Sequence, residues 1–256
     1  MPKKKETYDN ESLTLLKDEE RVRKRPAVIF GSDGLDGCCH SFFEILSNAI
    51  DEAREGYGKV IEVTRFKDKS IEVRDYGRGI PLDFNQKEQR YNWELVYCEL
   101  YAGGKYNNND GGMYEYSLGL NGLGACATQY SSEYMDVEVI RDKTKYTLHF
   151  EKGKNIGGLH KEETKSTKTG STVHWKPDTE VFTDINIPTE YFCDVLEKQA
   201  MTNAGIKFIF YNETDDGMQM NEYYYENGIV DYLKDKVGEN SFTQIEVWDA
   251  ERKGRD

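Results

Sequence analysis

Residues 40–55 carry two unlike stripes at helical spacing, and a chain containing such a helix has to arrange its remaining elements around both. Phe42, Leu46, Ala49 and Ala53 form an apolar stripe, which Phe43 and Ile50 widen to core size. On another face Glu44, Asn48, Asp51 and Glu55 fall at i, i+4, i+7 and i+11, stacking three carboxylates and one carboxamide along a line. Like charges at this spacing repel by roughly 0.2–0.5 kcal/mol per pair, and asparagine is a mediocre helix former. Such a line is either a solvated face or a row of oxygens held for a ligand. The helix alone does not choose between them.

Composition narrows the function class. A chain of 256 residues can bury a full core, but its net charge of -13 argues against a nucleic-acid clamp in its own right, since phosphate binding needs a basic stripe. Five cysteines, odd in number, without a C-x-x-C pair and including the adjacent Cys38 and Cys39, fit a reduced, cytoplasmic compartment. The Met1-Pro-Lys-Lys-Lys5 start shows no signal-peptide core and no apolar run approaches membrane length, so a soluble protein without membrane contact is expected.

The chain alternates short elements with glycine-rich turns. A basic cluster, Arg21-Val-Arg-Lys-Arg-Pro26, precedes a short apolar run over 27–30. After the central helix, residues 59–66 and 70–74 alternate as a β-hairpin, and the second strand runs into Asp75-Tyr-Gly-Arg-Gly-Ile-Pro81. There two glycines behind an aspartate let the backbone turn sharply and a flat ligand approach: Asp75 can accept from an exocyclic amine while Ile80 and Pro81 wall the space. Residues 91–101 read as a second amphipathic helix, and the segment 102–112 is too rich in glycine and asparagine for regular structure. Ser117-Leu-Gly-Leu-Asn-Gly-Leu-Gly-Ala-Cys-Ala127 follows, a glycine run opening a helical segment whose free N–H groups suit phosphate, with the preceding loop able to fold over it as a lid. Its spacing is neither a Walker loop nor a dinucleotide fingerprint. Beyond it, residues 134–141, 145–151 and 170–177 read as strands, 188–203 as a helix opening with Pro188, 206–212 and 220–225 as a hairpin, and 228–237 as a short amphipathic segment. Consecutive strands outnumber helices, which predicts an α+β sandwich with helices on one sheet face.

Acidic helix, aspartate-glycine turn and glycine-rich loop, in that order, are the parts needed to bind Mg-ATP without a Walker loop. Magnesium takes few protein oxygens beside phosphate and water, so one carboxamide oxygen on a helix serves as a ligand. A glutamate one turn earlier can polarise the water that attacks the γ-phosphate. The chain resembles the N-terminal ATPase domain of the type IIA DNA topoisomerases, the gyrase B and topoisomerase IV ATPase subunits, within the GHKL superfamily. The likeness runs from Val22-Arg-Lys-Arg-Pro26 through Phe43-Glu44, Asn48-Ala-Ile-Asp-Glu-Ala53 and Asp75-Tyr-Gly-Arg-Gly-Ile-Pro81 to Ala102-Gly-Gly-Lys-Tyr106, Gly119 to Gly124 and Lys168-Thr-Gly-Ser171. The Val-Arg-Lys-Arg-Pro arm and the Ala-Gly-Gly-Lys segment favour this branch over the chaperone and kinase branches.

The resemblance implies the Bergerat fold, a two-layer sandwich with a mixed, mostly antiparallel sheet, and a role for each matched position. Glu44 is implied as general base, Asn48 as the Mg²⁺ ligand, and Asp75 as the acceptor of the adenine amine, with a water shared with Ser171. Gly79, Ile80 and Pro81 line the base pocket, and Glu52 pairs with Arg78 at its mouth. Lys105 and the amides of Leu118, Gly119, Leu120, Asn121, Gly122, Leu123 and Gly124 hold phosphate, Tyr114 touches the nucleotide, and Arg141 matches the position that contacts aminocoumarin inhibitors. Residues 1–21 are implied as an arm for self-dimerisation, 22–237 as the ATPase domain, and 238–256 as a linker toward a transducer domain that supplies a further lysine. Little turnover is therefore expected of this chain alone. DNA and an A-type subunit are implied as partners of the full-length enzyme.

The chain departs from the family pattern at Asn121, where gyrases carry histidine, at Ala27 in place of glycine, and at Ser171 in place of threonine. Asn121 leaves gyrase and topoisomerase IV both open. Two other readings stand beside this one. One is a chaperone-like module switched by nucleotide with hydrolysis incidental, which would keep its conformational response in Glu44→Ala. The other is an acidic calcium or protein-binding surface, against which the absence of EF-hand spacing and the strand-to-turn context of Asp75 argue.

Overall fold

The basic cluster at 21–26 folds as part of two short helices that periodicity did not predict, α1 (Asp18–Lys24) and α2 (Pro26–Phe30). In the computed structural model, which describes residues 16–102, 118 and 122–238, α1 carries acidic residues in its first turn and basic ones in its last, as the helix dipole favours. Pro26 opens α2, and Gly31, at φ 78°, ends it in the left-handed conformation.

The central helix α3 (Leu35–Arg54) starts five residues before the predicted stretch, behind Gly34. Phe42, Leu46, Ala49, Ile50 and Ala53 are buried as expected, joined by Ile45, whereas Phe43 is partly exposed at the core's margin. Gly37 lets the helix start pack: a Cβ there would meet the Ser32 carbonyl oxygen at 2.0 Å.

Two strands follow, β1 (Val60–Arg65) and β2 (Ile71–Asp75), antiparallel as predicted, and then a small ladder of β3 (Phe84–Asn85) and β4 (Arg90–Tyr91). The next helix, α4 (Asn92–Cys98), stops short of the predicted residue 101: Glu99 is extended and Tyr101 sits at φ 63°. Helix α5 (Gly124–Tyr130) opens at the last glycine of the glycine-rich run. A meander of β5 (Ser132–Arg141), β6 (Thr144–Glu151) and β7 (Lys154–Glu163) leads to β8 (Gly170–Pro177). The turn between β5 and β6 places both Asp142 and Lys143 at positive φ, the two-residue geometry that matches strand twist. Strand β7 was not predicted, because its largely exposed residues and Gly157-Gly158 carry no alternation. Helix α6 (Thr189–Thr202), the hairpin β9 (Lys207–Thr214) and β10 (Gly217–Tyr223), and helix α7 (Ile229–Val237) complete the described chain.

Eight strands form one sheet in the order β10-β9-β1-β2-β8-β5-β6-β7. All neighbours are antiparallel except β1 and β9, so the sheet is mixed. One face, bearing Ile61, Val63, Val73, Val137, Trp175, Phe208 and Phe210, is buried under the helices. The other presents Glu62, Glu72, Arg74, Glu138 and His174. Aromatic contacts tie the layers: Phe42 of α3 meets Phe192 of α6 at 4.8 Å, and Phe192 stacks on Phe210 of β9 at 5.2 Å and 11°. Such pairs each add about 0.5–1.5 kcal/mol beyond their burial. The result is the expected α+β two-layer sandwich.

Candidate functional site

Between α3, the β2 end of the sheet and α4 lies a cavity of about 810 Å³. From α3 it receives Glu44, Asn48 and Glu52, at i, i+4 and i+8, with Ile45 and Ala49 as apolar ground between them. The sheet contributes Val73, Asp75, Ser171 and Val173, and the turn after β2 contributes Arg78, Gly79, Ile80 and Pro81. Leu118, Gly122, Gly124 and Arg141 stand on further sides.

The polar line read from periodicity is thereby corrected. Asp51 does not line the cavity: it is buried, and its Oδ1 accepts the Leu118 N–H at 2.7 Å, while Glu55 lies beyond the cavity in the helix cap. Glu52 takes their place. Its carboxylate accepts from the Arg78 backbone N–H at 2.9 Å and from Nε and Nη2 of the same residue at 2.7 and 2.9 Å, a bidentate clasp at the cavity rim. The Arg78 guanidinium also stacks over Tyr57, 4.0 Å from the ring centroid.

Asp75 ends β2 and turns its carboxylate into the cavity wall. The N–H groups of Gly77 and Ser171 donate to Asp75 Oδ1 at 2.8 and 3.3 Å. Burial raises the Asp75 pKa to about 6; the two amides oppose that shift and the nearby Glu52 charge adds to it. Ser171 Oγ accepts from the Ile80 N–H at 3.3 Å, coupling the serine to the turn. Gly79, at φ 77°, is confined by β5: an added Cβ would meet the Ile140 carbonyl at 2.8 Å. Its own carbonyl accepts from Arg141 Nη1 at 2.8 Å, which holds that guanidinium over the cavity.

On the opposite wall, His40 reaches Glu44 Oε1 through Nε2 at 3.1 Å and the Phe30 carbonyl through Nδ1 at 3.2 Å. The ring thus lies between two acceptors, the Phe30 carbonyl on α2 and the Glu44 carboxylate on α3, and the tautomer with the proton on Nε2 donates to Glu44. Asn48 donates through its side-chain nitrogen to the Glu44 carbonyl at 3.1 Å. Gly124 closes this corner.

Of the residues singled out from the sequence, Glu44, Asn48, Glu52, Asp75, Arg78, Gly79, Ile80, Pro81, Leu118, Gly122, Gly124, Arg141 and Ser171 all face one cavity. Leu123 precedes α5 without lining it, and Lys105, Tyr114, Gly119, Leu120 and Asn121 lie outside the described residues. Sequence reasoning missed His40, whose signal was its position four residues before Glu44, and missed Leu95, Val96 and Tyr97 of α4, which complete the floor. Among the described residues no group of three His, Cys, Asp or Glu side chains is placed to hold a metal. Asn48 lines the cavity one turn from Glu44 and offers a carboxamide oxygen, the kind of single protein ligand that Mg²⁺ takes beside phosphate and water. No described helix is long and apolar enough to cross a membrane.

The chain is 37% identical over 227 residues to the B subunit of DNA gyrase from Synechocystis, covering 88% of this chain and 21% of that protein. It is 36% identical to the gyrase B protein of Thermotoga maritima over 90% of this chain and 35% of the relative. It is 34% identical to the B subunit of DNA topoisomerase 4 from Enterococcus faecalis over 88% and 33%. The chain thus spans between about a fifth and about a third of the length of these relatives. No protein-family profile matches it. Among solved structures, the 43K ATPase domain of Thermus thermophilus gyrase B in complex with an aminocoumarin superposes with a TM-score of 0.72 at 31% identity, covering 88% of this chain and 56% of that one. The chain is therefore a homologue of the gyrase B and topoisomerase IV B proteins, and its fold is that of the gyrase B ATPase domain.

Proposed function

We propose that this domain binds Mg-ATP in the cavity between α3 and β2 and hydrolyses its terminal phosphate, as the ATPase module of a type IIA DNA topoisomerase. The observation that carries the reading is the opposition of two walls across one cavity. Glu44 and Asn48 stand on the helix, and Asp75 and Ser171 stand on the sheet, with apolar side chains between. The cavity volume is within the range of small-ligand sites.

In this reading Asp75 accepts the adenine amine, assisted by Ser171, and Gly79, Ile80 and Pro81 wall the base. The Glu52–Arg78 clasp fixes the mouth, and Arg141 reaches the region that an aminocoumarin-type inhibitor would occupy. Glu44, oriented by His40, takes the proton of the attacking water. The Asn48 side-chain oxygen is the protein ligand of Mg²⁺, which when bound neutralises phosphate charge. By the family resemblance, Lys105, Tyr114 and the amides of 118–124 contact the phosphates. Residues 1–21 would serve as a dimer arm, 22–237 as the ATPase domain and 238–256 as a linker. DNA and an A-type subunit would be partners in a cytoplasmic full-length enzyme that couples hydrolysis to strand passage.

Calorimetric titration with a non-hydrolysable ATP analogue and Mg²⁺, on the wild type and Asp75→Asn, tests this. Binding by the wild type that is lost in the variant is expected. Equal binding by both would remove adenine from Asp75, and no binding by the wild type would overturn the reading.

A further inference from the structure

One polar group on the cavity floor has no part in the roles above. Tyr97 of α4 lines the cavity and is 1% exposed, yet its hydroxyl has no hydrogen-bond partner among the described residues. Its ring packs on Phe150 at 5.8 Å, a contact that phenylalanine would make equally well. Nothing in the described packing therefore requires the oxygen, and a buried hydroxyl left unpaired costs the fold stability. Gln129, Trp175 and Asn203 also hold unpaired buried polar atoms, but none of those three lines the cavity.

The surroundings define what the hydroxyl can do. Burial first and the charge of Asp75 second raise the Tyr97 pKa, so the phenol keeps its proton as a donor, in the same cavity whose lining holds the Asp75 carboxylate acceptor. Adenine presents the matching edge, an amine donor beside a ring-nitrogen acceptor, whereas guanine reverses both groups. We propose that Tyr97 Oη is a further recognition group for the adenine base. It donates, directly or through one water, to the ring nitrogen next to the amine that Asp75 accepts. The proposal rests on the ATP reading of the cavity and extends it to a second polar contact on the base.

The test titrates a non-hydrolysable ATP analogue and its 1-deaza counterpart into the wild type and Tyr97→Phe, with thermal melts of both unliganded proteins. Removing the hydroxyl should weaken the ATP analogue by about 2- to 10-fold. The 1-deaza analogue should bind the wild type more weakly by a similar factor and lose nothing further in the variant. The unliganded variant should melt at or above the wild-type temperature, since it loses an unpaired group. Tyr97→Phe binding as tightly as the wild type, losses that multiply, or a lower melting temperature would each overturn the proposal. A wild type that binds neither compound would instead overturn the ATP reading itself, and this inference with it.

Discussion

Gly124 and Glu44 stand so close that no side chain fits between them: a Cβ on Gly124 would lie 2.1 Å from Glu44 Oε2 and 2.9 Å from Glu44 Cβ. The start of α5 is therefore the surface against which the proposed base is pressed from one side, with His40 on the other. Alanine is a good helix former, and Gly124→Ala should displace the carboxylate and, because Glu44 Cβ is anchored to α3, shift the start of α5 slightly as well. A displacement on the order of 1 Å lowers rates by roughly 10²-fold. In the full-length subunit, single-turnover ATP hydrolysis should fall by about that factor while analogue affinity changes far less. Parallel losses in both would place Gly124 in binding rather than in positioning Glu44.

Asp75 links binding to pH. Its folded pKa of about 6 lies above the ordinary carboxylate value of 3.8 from which it is displaced, so the ionised form is the one the fold disfavours. The penalty is present above about pH 6 and is relieved as pH falls from there toward 4. Asp75→Asn keeps an acceptor oxygen for the Gly77 and Ser171 amides. It should raise the stability of the unliganded protein at pH 7 by on the order of 1–3 kcal/mol, and this gain should vanish near pH 4. Denaturant unfolding at the two pH values measures it. Analogue affinity of the wild type should weaken as pH drops through 6.

The clasp between Glu52 and Arg78 should act on the same titration. In Arg78→Met, Glu52 loses its guanidinium partner and remains near Asp75, so the pH at which binding weakens should move upward. Stability should fall by about 1–3 kcal/mol, as for a partly buried charged hydrogen bond that loses one partner. An unchanged pH midpoint in the calorimetric series would show that Arg78 does not buffer the Glu52 charge.

Within the basic cluster, Arg23 binds inward rather than outward. Its Nη2 meets Asp178 at 2.7 Å and its Nη1 donates to the Tyr130 carbonyl at 3.0 Å, and the Asp178 side chain is 4% exposed. Arg23→Met should leave that carboxylate without its guanidinium partner, held by the Glu180 N–H at 2.8 Å, and lower stability by about 3 kcal/mol. The double variant Arg23→Met/Asp178→Asn should recover much of it, which urea unfolding of the three proteins checks.

The fold was legible where one side of an element is dry. In α3, Phe42, Leu46, Ala49 and Ile50 repeat at helical spacing because they face the sheet, and β1, β2, β5 and β6 alternate for the same reason. Strand β7 lies at the sheet edge with both faces wet, so the period-2 signal that marks a strand is missing from Lys154–Glu163. Helices α1 and α2 are too short for a stripe to repeat. In the site, periodicity located Glu44 and Asn48 but chose Asp51 over its neighbour Glu52, which only the family resemblance named. What separates them is the Leu118 amide on one side and the Arg78 guanidinium on the other, contacts made across the fold.

The parallel pairing of β1 with β9 gives the chain an order of assembly. Val60 meets Lys207 and Arg65 meets Asn212, whereas the cavity lining ends at Val173. On a ribosome, every residue of the described pocket emerges before the strand that seals β1 and brings Phe208 and Phe210 under the helices. A nascent chain therefore carries all the lining residues of the described cavity on a sheet whose edge is still open, and such long-range strand closure is slow. The described pocket is thus written early in the chain and closed late, by a strand that adds nothing to its lining.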